Sequence, residues 1–540
     1  MVSPPEDLCF VQQEWRSGER SSGVECWQRR RFIQFVKAPA GLKIDRNEIN
    51  PQVLAQFDES DLTFRDPAGQ LLLTKEHALR RVRPVAAVEA RSFLDSKLRA
   101  QLEASGDLVT SEIVEPGTFG VPLAGAEGGF WLRHPRIDPI NYPWEWSPAQ
   151  WRAAAELTLG IAGKAIDAGW TLKDATPLNV VFSGARPVFV DVLSFEPRNQ
   201  RSTVWLAYGQ FVRTFLLPLL AGKYLSWPLQ ATLFWRDGYE PTMLARALPL
   251  RHRLNPNLLD VVTLAAMLEG KGKGNAKPAA DKTNPELATH ILHKRMARLT
   301  KQIRHAAGGE SASEWSRYNQ SASHYQPGDL NAKQSFVREI LERLRPANVL
   351  DIGANTGVYS LMAAEAGAKV VALDNDSAAL DELFRTAAVN GNPVTAMVAN
   401  IARPTPAAGW RNREQLSLLD RLTGKFDLVL MLAVIHHLIL REQATLAHIA
   451  SLAAELTTRW LVVEWVPPSD PMYQEWLRGR EQLYGNLAEA DLVGALTPFF
   501  TQINRTQLGN GRVLLAFQRL TLESQPTGPV DSSPTEANAE

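Results

Sequence analysis

The sequence has few cysteines, no surplus of charge and no long uninterrupted apolar run. Only Cys9 and Cys26 occur among its 540 residues, and neither lies in a spacing typical of a metal or redox motif. Lys and Arg together number 58, as do Asp and Glu, so no net charge attracts the chain to nucleic acid. We therefore expect a protein of the reducing cytoplasm, with no metal site and no nucleic-acid partner.

The chain also lacks a segment typical of export or of membrane insertion. Residues 1–15 contain neither the basic region nor the apolar core of a signal peptide. The most apolar stretch, residues 204–235, is interrupted by Arg213, Lys223 and Gln230 before about 18 apolar residues accumulate. The pattern favours a buried helical hairpin over an integral membrane segment and leaves peripheral membrane contact open.

Length and local composition divide the chain into several predicted parts. At about 150 residues per domain, a chain of 540 residues suggests three or four units. Residues 270–284 are rich in Gly, Lys and Pro, which is typical of a linker, and the last twenty residues contain acids but no base. We predict an amino-terminal extension at 1–55, a first domain at 56–268, a basic linker at 269–310, a second domain at 311–520 and a disordered tail at 521–540.

The most informative pattern lies at residues 348–357, where an apolar run ends in Asp351 and is followed by spaced glycines. Gly353 and Gly357 allow the backbone to bend sharply and to lie close to a ligand. A helix predicted at residues 358–366 would direct its first amide groups toward the same place. This is how a nucleotide-binding strand-turn-helix unit begins.

The spacing of this turn decides between nucleotide cofactors. A second apolar run, residues 368–373, stops at Asp374, which is placed to reach the two hydroxyls of a ribose. A dinucleotide fingerprint needs G-x-G-x-x-G, whereas here Asn355 occupies the position of the middle glycine. The D-x-G-x-N-x-G pattern resembles the first motif of class I S-adenosylmethionine (SAM) methyltransferases. That resemblance implies a Rossmann-like α/β sheet and SAM as cofactor.

Three further apolar runs extend the resemblance over residues 315–519. They lie at 394–399, 426–432 and 460–464 and fit the third, fourth and fifth strands of such a sheet. The resemblance assigns Asp351, Gly353, Asn355 and Gly357 to the methionine and turn region, Asp374 to the ribose, and Asn400 with Ile401 to adenine. Many members of the family carry an acid where this chain has Asn400.

Candidate catalytic residues follow the predicted fourth and fifth strands. His436 and His437 could position or deprotonate a nucleophile, because imidazole titrates near neutral pH, or they could simply cap the following helix. Glu464 could hold a sugar hydroxyl or an amine of the acceptor, or make a structural hydrogen bond. Three aromatic residues before the first strand are candidates for a lid or for ordinary core positions: Trp315, Tyr318 and Tyr325.

A second group of polar residues lies in the first half of the chain, after a helix predicted at residues 151–168. Asp174 and Asn179 are five positions apart, and Asp191 follows after a predicted hairpin. This spacing resembles the carboxyl lobe of protein kinases and aminoglycoside phosphotransferases, and implies an α+β kinase-like domain. By that resemblance Asp174 would orient a hydroxyl, while Asn179 and Asp191 would hold the magnesium ions of Mg-ATP.

The kinase-like segment departs from that family at several positions. Leu172 stands where a histidine is usual, and Val192 with Leu193 replaces Phe-Gly. No convincing Gly-rich loop or strand lysine precedes residue 130, and phosphoryl transfer without a phosphate-binding cation loses much electrostatic stabilisation. The candidate substitutes are Lys75, Arg80, Arg81 and Arg83. We therefore favour a degenerate kinase fold that serves as a scaffold or a recognition module.

The combination of the two segments is similar to bacterial nodulation host-specificity methyltransferases. Residues 142–146, Tyr-Pro-Trp-Glu-Trp, and residues 464–471 also fit that group. The resemblance implies a bacterial enzyme that methylates a small molecule, a glycan or a lipid-linked sugar. Two alternatives stay open: a bifunctional kinase-methyltransferase of surface polysaccharide synthesis, and a non-catalytic assembly protein.

Overall fold

The computed structural model describes residues 66–114, 128–269, 283–308 and 327–520. We refer to residues 66–308 as the amino-terminal half and to residues 327–520 as the carboxyl-terminal half. The predictions for residues 1–55, for the aromatic residues 315, 318 and 325, and for residues 521–540 lie outside the described residues. The boundaries of the predicted domains stay predictions.

The amino-terminal half begins with a small antiparallel sheet and continues with hairpins and helices. Its strands are β1 Gly69–Leu73, β2 His77–Val82, β3 Glu112–Val114, β4 Phe130–Pro135, β5 Trp170–Leu172, β6 Val180–Ser183, β7 Arg186–Phe189 and β8 Phe195–Pro197. The first four form one sheet in the order β1-β2-β4-β3, and β5 pairs with β8 as β6 pairs with β7. Two helices, α1 Pro84–Leu94 and α2 Lys97–Ala104, connect β2 to β3.

The helix predicted before the kinase-like segment is present as α3 Pro148–Asp167. It begins with a capping box, in which Ser147 and Gln150 exchange side-chain and backbone hydrogen bonds, and Pro148 occupies its first turn. Its buried face includes Trp151, whose indole N–H donates to the carbonyl of Phe215. The helix therefore joins the core of the amino-terminal half.

The middle of the apolar stretch at residues 204–235 lies in that core, whereas Leu206 and Phe234 near its ends are exposed. Its helices are α4 Tyr208–Phe211 and α5 Leu217–Leu225, joined by a wider π turn at Val212–Leu216. Short helices follow at α6 Pro241–Ala247, α7 Leu250–Arg253 and α8 Ala265–Leu268. Within the four described ranges, no helix combines the length and the apolar character needed to cross a bilayer.

Part of the predicted basic linker is a helix. Residues of α9 Pro285–Ala307 bury an apolar stripe at three- and four-residue spacing, which includes Leu292, Met296, Leu299 and Ile303. That stripe packs against α3 and α5. The composition at 270–284 predicts a linker over 269–310, and residues 270–282 of it lie outside the described residues.

The carboxyl-terminal half is a seven-stranded sheet with helices on both sides. Its strands are β9 Asn348–Ile352, β10 Lys369–Asp374, β11 Val394–Val398, β12 Phe426–Met431, β13 Thr457–Trp465, β14 Phe500–Gln507 and β15 Val513–Arg519. They lie in the order β11-β10-β9-β12-β13-β15-β14, and β15 runs antiparallel to both of its neighbours. The four strands β9 to β12 begin and end within two residues of their predicted bounds, which confirms the Rossmann-like α/β fold.

Helices connect these strands on the two faces of the sheet. They are α10 Pro327–Leu344, α11 Val358–Glu365, α12 Ser377–Asn390, α13 Leu418–Leu422, α14 Ile435–Leu440, α15 Leu446–Leu456, α16 Pro471–Leu477, α17 Glu481–Tyr484 and α18 Glu489–Leu496. Asp376 caps α12 by accepting from the backbone amides of Ala378 and Ala379.

One apolar core continues from the amino-terminal half into the carboxyl-terminal half. It contains Trp146 and Phe182 of the first and Phe384 of the second. The rings of Phe182 and Phe384 meet edge to face, with centroids 5.6 Å apart. The carboxyl-terminal half also has a second apolar core of its own, which includes Leu350, Val371 and Val429. The halves therefore share one core, and the second belongs to the carboxyl-terminal half alone.

Candidate functional site

The sheet of the carboxyl-terminal half has a topological switch point between β9 and β12. From this pair the connections proceed outward in opposite directions, to β10 and β11 on one side and to β13 on the other. Ligands of open α/β sheets bind outside the carboxyl ends of the strands at such a point. A cavity of about 970 Å³ opens there, at the upper end of the range of about 300–1,000 Å³ typical of ligand pockets.

The turn after β9 forms one wall of the cavity. Gly353 has a φ of +77°, and a Cβ atom there would lie 2.3 Å from Cγ2 of Val434, so the position admits only glycine. Asn355, with a φ of +49°, also lines the cavity. Gly357 has a different reason for being glycine: its Cβ would lie 2.2 Å from Cδ1 of Leu383. It is not among the residues that line the cavity.

The two aspartates of this turn lie at different depths. Asp374, at the end of β10, lines the cavity, and its carboxylate accepts from the backbone amides of Asn355 and Asp376, both at 2.8 Å. Asp351 is 1% exposed and lies behind the wall, where Ser360 donates to it at 2.6 Å. Burial raises the pKa of Asp351 to about 6. Asp374 is therefore the carboxylate that a bound ligand can reach, and Asp351 supports the turn.

Asn400 and Ile401, which follow β11, line the next part of the cavity. The side-chain amide of Asn400 donates to Glu442 at 3.0 Å, and its carbonyl oxygen accepts from the backbone amide of Ala402 at 2.8 Å. Glu442 lines the cavity as well and also accepts from Arg403. The sequence did not indicate Glu442, which restores an acid near the position where Asn400 departs from the family.

His436 and His437, on α14, also line the cavity. Burial, assisted by the positive charges of Arg512, Lys333 and Arg441, lowers the pKa of His436 to about 3. Burial and the neighbouring His436 lower the pKa of His437 to about 2. Trp476 stacks on His436, with ring centroids 5.6 Å apart. Both imidazoles are therefore neutral at physiological pH.

One nitrogen of His436 has no hydrogen-bond partner. The ring is 4% exposed, and its Nδ1 atom is buried without a partner anywhere in the described part of the chain. Buried polar atoms in folded proteins are nearly always paired. Because His436 is also a residue of the cavity wall, its unpaired nitrogen is a candidate hydrogen-bonding group for a ligand.

Glu464, the third candidate catalytic residue, does not line the cavity. It is fully buried at the end of β13, where Lys333 of α10 contacts it at 2.6 Å and Arg512 at 3.4 Å. Arg512 also pairs with Asp470 at 2.8 Å. Lys333 and Arg512 line the cavity in front of these carboxylates. The sequence predicts that Glu464 either binds the acceptor or makes a structural hydrogen bond. The geometry fits a structural role, in which its ion pairs orient Lys333 and Arg512.

The charged residues on the cavity wall form two groups. The acidic ones are Asp374 and Asp376 after β10 and Glu442, which accepts from Asn400, and we refer to this group as the acidic end. The cationic ones, Lys333, Arg441 and Arg512, act electrostatically on His436, and we refer to them and the two histidines as the histidine end. A ligand with hydroxyl donors therefore fits the acidic end, and the histidine end supplies neutral acceptors among cations.

Two of the three residues of the kinase-like segment, Asn179 and Asp191, are linked through another side chain, and Asp174 has a partner of its own. Ser194 donates to Asp191, and the side-chain amide of Asn179 donates to Ser194 at 3.3 Å. Asp174 accepts from the side-chain amide of Gln210 at 3.2 Å. Over the described ranges, no three His, Cys, Asp or Glu side chains are grouped as a metal site would require.

Arg80 occupies the position in front of Asp191. Its guanidinium pairs with Asp191 and with Asp66, each at 2.7 Å. Burial alone would raise the pKa of Asp191, but Arg80, Ser194 and the backbone amide of Leu193 together hold it below its usual value. The carboxylate that the kinase resemblance assigned to magnesium is thus neutralised by an arginine of the same chain.

The comparison with protein families agrees with the sheet and the cavity. A family model described as a methyltransferase domain matches residues 350–455, the stretch from β9 to α15. This stretch contains Gly353, Asn355, Asp374, Asn400 and both histidines. Together with the sheet order and the cavity at the switch point, the match defines the carboxyl-terminal half as a class I SAM-dependent methyltransferase domain.

The predicted resemblance to nodulation proteins is confirmed. The chain is 29% identical over 468 residues to nodulation protein NoeA of Rhizobium meliloti (strain 1021), which covers 85% of this chain and 95% of that protein. Two solved structures are similar over less than two fifths of this chain.

The first of these is magnesium protoporphyrin IX methyltransferase of Synechocystis PCC 6803, at 21% identity over 38% of this chain and 93% of that chain, with a TM-score of 0.28. The second is the N-methyltransferase NodS of Bradyrhizobium japonicum WM9, at 15% identity over 36% and 99%, with a TM-score of 0.27.

Proposed function

We propose that this protein transfers the methyl group of SAM to a small-molecule, glycan or lipid-linked acceptor that binds at the histidine end of the cavity. One observation carries the proposal. A single cavity joins the glycine turn and Asp374 to the neutral His436 and His437, so a cofactor and an acceptor fit side by side. SAM supplies an electrophilic methyl group on a sulfonium, and direct displacement leaves the protein mainly the task of alignment.

Asp374 would accept hydrogen bonds from the ribose hydroxyls of SAM. Its carboxylate already accepts two backbone amides, which fix its orientation, and each carboxylate oxygen has a second lone pair for a hydroxyl. Gly353 lets the backbone approach the methionine moiety, and Asn400 with Ile401 would contact adenine. Asp351 and Gly357, which the family resemblance placed at the cofactor, would act through the shape of the turn.

His436 would accept a hydrogen bond from the acceptor and orient the attacking atom. A base must take up a proton, but with a pKa of about 3 the imidazole takes one up only at a large energetic cost. Its unpaired Nδ1 can nevertheless hold a hydroxyl or an amine in line with the methyl group. We therefore propose that His436 orients the acceptor. The sequence by itself leaves open whether it positions a nucleophile, deprotonates it or caps the helix.

Calorimetric titration of S-adenosylhomocysteine into the purified chain tests the proposed function. We expect micromolar binding to the wild type and a loss of at least about 100-fold in Asp374→Ala, because two hydrogen bonds to a charged group contribute roughly 3 kcal/mol or more. Asp174→Ala, which removes a carboxylate from the kinase-like segment, is the matched control and should bind like the wild type. A folded wild type that does not bind would contradict the proposal.

We further propose that the kinase-like segment is not a phosphotransferase in this chain. The support is the Arg80–Asp191 pair, which places a cation where Mg²⁺ would be needed. Titration of ATP with magnesium should therefore give no binding. Binding that Asp191→Ala abolishes would instead favour the bifunctional kinase-methyltransferase.

A further inference from the structure

We infer that the amino-terminal half positions the adenine-contacting segment of the methyltransferase, through a buried hydrogen-bond network centred on Glu145 and Arg421. The inference rests on the proposed cofactor site at Asn400 and Ile401. It makes Glu145 a positioning residue of a site that lies entirely in the other half of the chain.

The amino-terminal half covers the edge of the methyltransferase sheet next to that site. Strand β11 is the edge strand, so the backbone groups on its outer side have no strand to pair with. The side-chain amides of Asn141 and Gln150 both donate to the carbonyl of Ala396, each at 3.1 Å. The backbone amide of Ala149 donates to Asp381 of α12 at 2.6 Å. These bonds fix the strand whose carboxyl end presents Asn400.

Glu145 extends this contact to the chain that follows Asn400. It is fully buried in the short turn Pro143–Glu145, and its carboxylate accepts from both terminal nitrogens of Arg421, one of them at 3.0 Å. The hydroxyl of Thr405, five positions after Asn400, donates to the same carboxylate. A paired carboxylate with this bidentate geometry defines direction as well as distance.

Arg421 holds the far end of the same segment. Its Nε donates to the carbonyls of Leu416 and Ser417, and Nη1 donates to the carbonyl of Ile140 at 2.6 Å. Its guanidinium also lies over the ring of Tyr142, 4.6 Å from the centroid. The hydroxyl of Tyr142 accepts from the backbone amide of Leu416 at 3.1 Å. Residues 402–421 are thus attached to the amino-terminal half at both ends.

The segment transmits this attachment to Asn400 over a short distance. The amide of Leu418 donates to the carbonyl of Thr405 at 2.9 Å, which closes the segment into a loop. At its start, the amide of Arg403 donates to the carbonyl of Asn400 at 3.1 Å. Displacing Thr405 would therefore displace the backbone on which the adenine contact depends.

A buried ion pair of this kind is suited to positioning more than to stability. Burying two charges costs desolvation energy that their attraction often only offsets, whereas the geometry of the bonds is specific. Arg421 is 2% exposed and Glu145 is fully buried, so neither partner can exchange the other for water. The pair keeps one arrangement of residues 402–421 out of the many that this irregular segment could adopt.

The test measures recognition of the adenine edge in the full-length protein. S-inosylhomocysteine differs from S-adenosylhomocysteine only at that edge, where an oxygen replaces the exocyclic amine. The wild type should bind S-adenosylhomocysteine more tightly, and calorimetry gives the ratio of the two affinities. We expect this ratio to fall about tenfold in Glu145→Gln, a magnitude typical of coupling between sites. In Thr405→Val, which removes a single bond to Glu145, we expect a smaller fall of about fivefold, at the low end of that range.

Lys425→Gln is the matched control. Lys425 also forms an ion pair across the two halves, with Asp138 at 2.6 Å, but it lies beyond the segment and its partner is 33% exposed. The ratio of the affinities of Lys425→Gln for the two ligands should equal that of the wild type. A general loosening of the fold would weaken both ligands alike and leave the ratio unchanged in every variant.

The outcomes separate this inference from the proposed function. If wild type fails to bind S-adenosylhomocysteine, the proposed function fails first. If wild type binds and discriminates but folded Thr405→Val and Glu145→Gln keep the full ratio, the positioning role is overturned. A fall in Lys425→Gln as large as in Glu145→Gln would also overturn it, since any contact between the halves would then suffice.

Discussion

The two groups of acids in this chain differ in what neutralises them. Asp374 of the methyltransferase domain accepts from two backbone amides and lines a cavity, so a ligand hydroxyl can reach it. Asp191 of the kinase-like segment accepts from Arg80, Ser194 and a backbone amide, and Arg80 stands in front of it. Acid spacing alone does not distinguish these cases, because the decisive partner of Asp191 lies 111 positions away.

The two segments also differ in how burial affects the pKa of an aspartate, as a comparison of Asp351 with Asp191 shows. Asp351 has one hydroxyl partner, and burial raises its pKa to about 6. For Asp191 burial acts in the same direction, but Arg80, Ser194 and the backbone amide of Leu193 together outweigh it, and the pKa lies below its usual value. An aspartate of the first kind supports a turn at some cost to stability, and one of the second kind is part of a stabilising pair.

Separating the two halves of the chain should have the largest effect on stability. We expect residues 327–520 expressed alone to lose cooperative unfolding, because β11 would expose its edge and Arg421 and Phe384 would lose their buried partners. Circular dichroism in urea measures this. A full-length chain cut at a protease site inserted within residues 309–326 is the control, and its halves should stay associated. Two-state unfolding of the isolated half would show that the core it owns alone suffices for cooperative folding.

A substitution at Arg80 should have the next largest effect. Arg80→Ala leaves Asp66 and Asp191 without their common cation, and we expect the free energy of unfolding to fall by about 2–4 kcal/mol, somewhat less than for a fully buried pair. Urea denaturation measures the change. Arg83→Ala, which removes an exposed arginine of the same segment, should stay within about 0.5 kcal/mol of the wild type. Equal stability of the two variants would show that Asp191 is not held by Arg80.

The smallest effects should come from a pair of isosteric substitutions with opposite signs. The folded-state pKa of Asp351 is raised to about 6. The stability that its protonated carboxyl contributes is therefore fully present below about pH 4 and is lost as the pH rises through about 6. Asp351→Asn should therefore raise the free energy of unfolding at pH 7.5, by about 1–3 kcal/mol. Asp191, whose folded-state pKa is lowered, contributes stability above its unfolded-state pKa, and Asp191→Asn should lower stability at pH 7.5.

Measuring both variants from pH 4 to pH 8 separates these effects from general damage to the core. The difference between wild type and Asp351→Asn should shrink as pH falls from about 6 toward 4, because the wild-type carboxyl is then protonated as well. A destabilised Asp351→Asn at pH 7.5 would show that the Ser360 hydrogen bond outweighs the cost of burying the charge.

The site was predictable where its residues are close in sequence to a recognisable pattern. Gly353, Asn355 and Asp374 all lie within one strand-turn-helix-strand unit, and the structure places all three on the cavity wall. Asp351 and Gly357 belong to the same pattern, but their side chains serve the turn from behind. Lys333 and Arg512 were missed, because one precedes the motif on a helix and the other follows a hairpin, and no short-range pattern links them to Glu464.

The sequence by itself determined the Rossmann-like sheet and the class of cofactor, since the alternation of apolar runs with glycine turns is a local property of the chain. Only the tertiary structure decided which polar residues are available to a ligand and how the two halves depend on each other. Glu145 and Arg421 are 276 positions apart, and Arg80 and Asp191 are 111 apart. Charges so distant in sequence meet only when packing of the shared core brings them together, and that packing depends on many side chains at once.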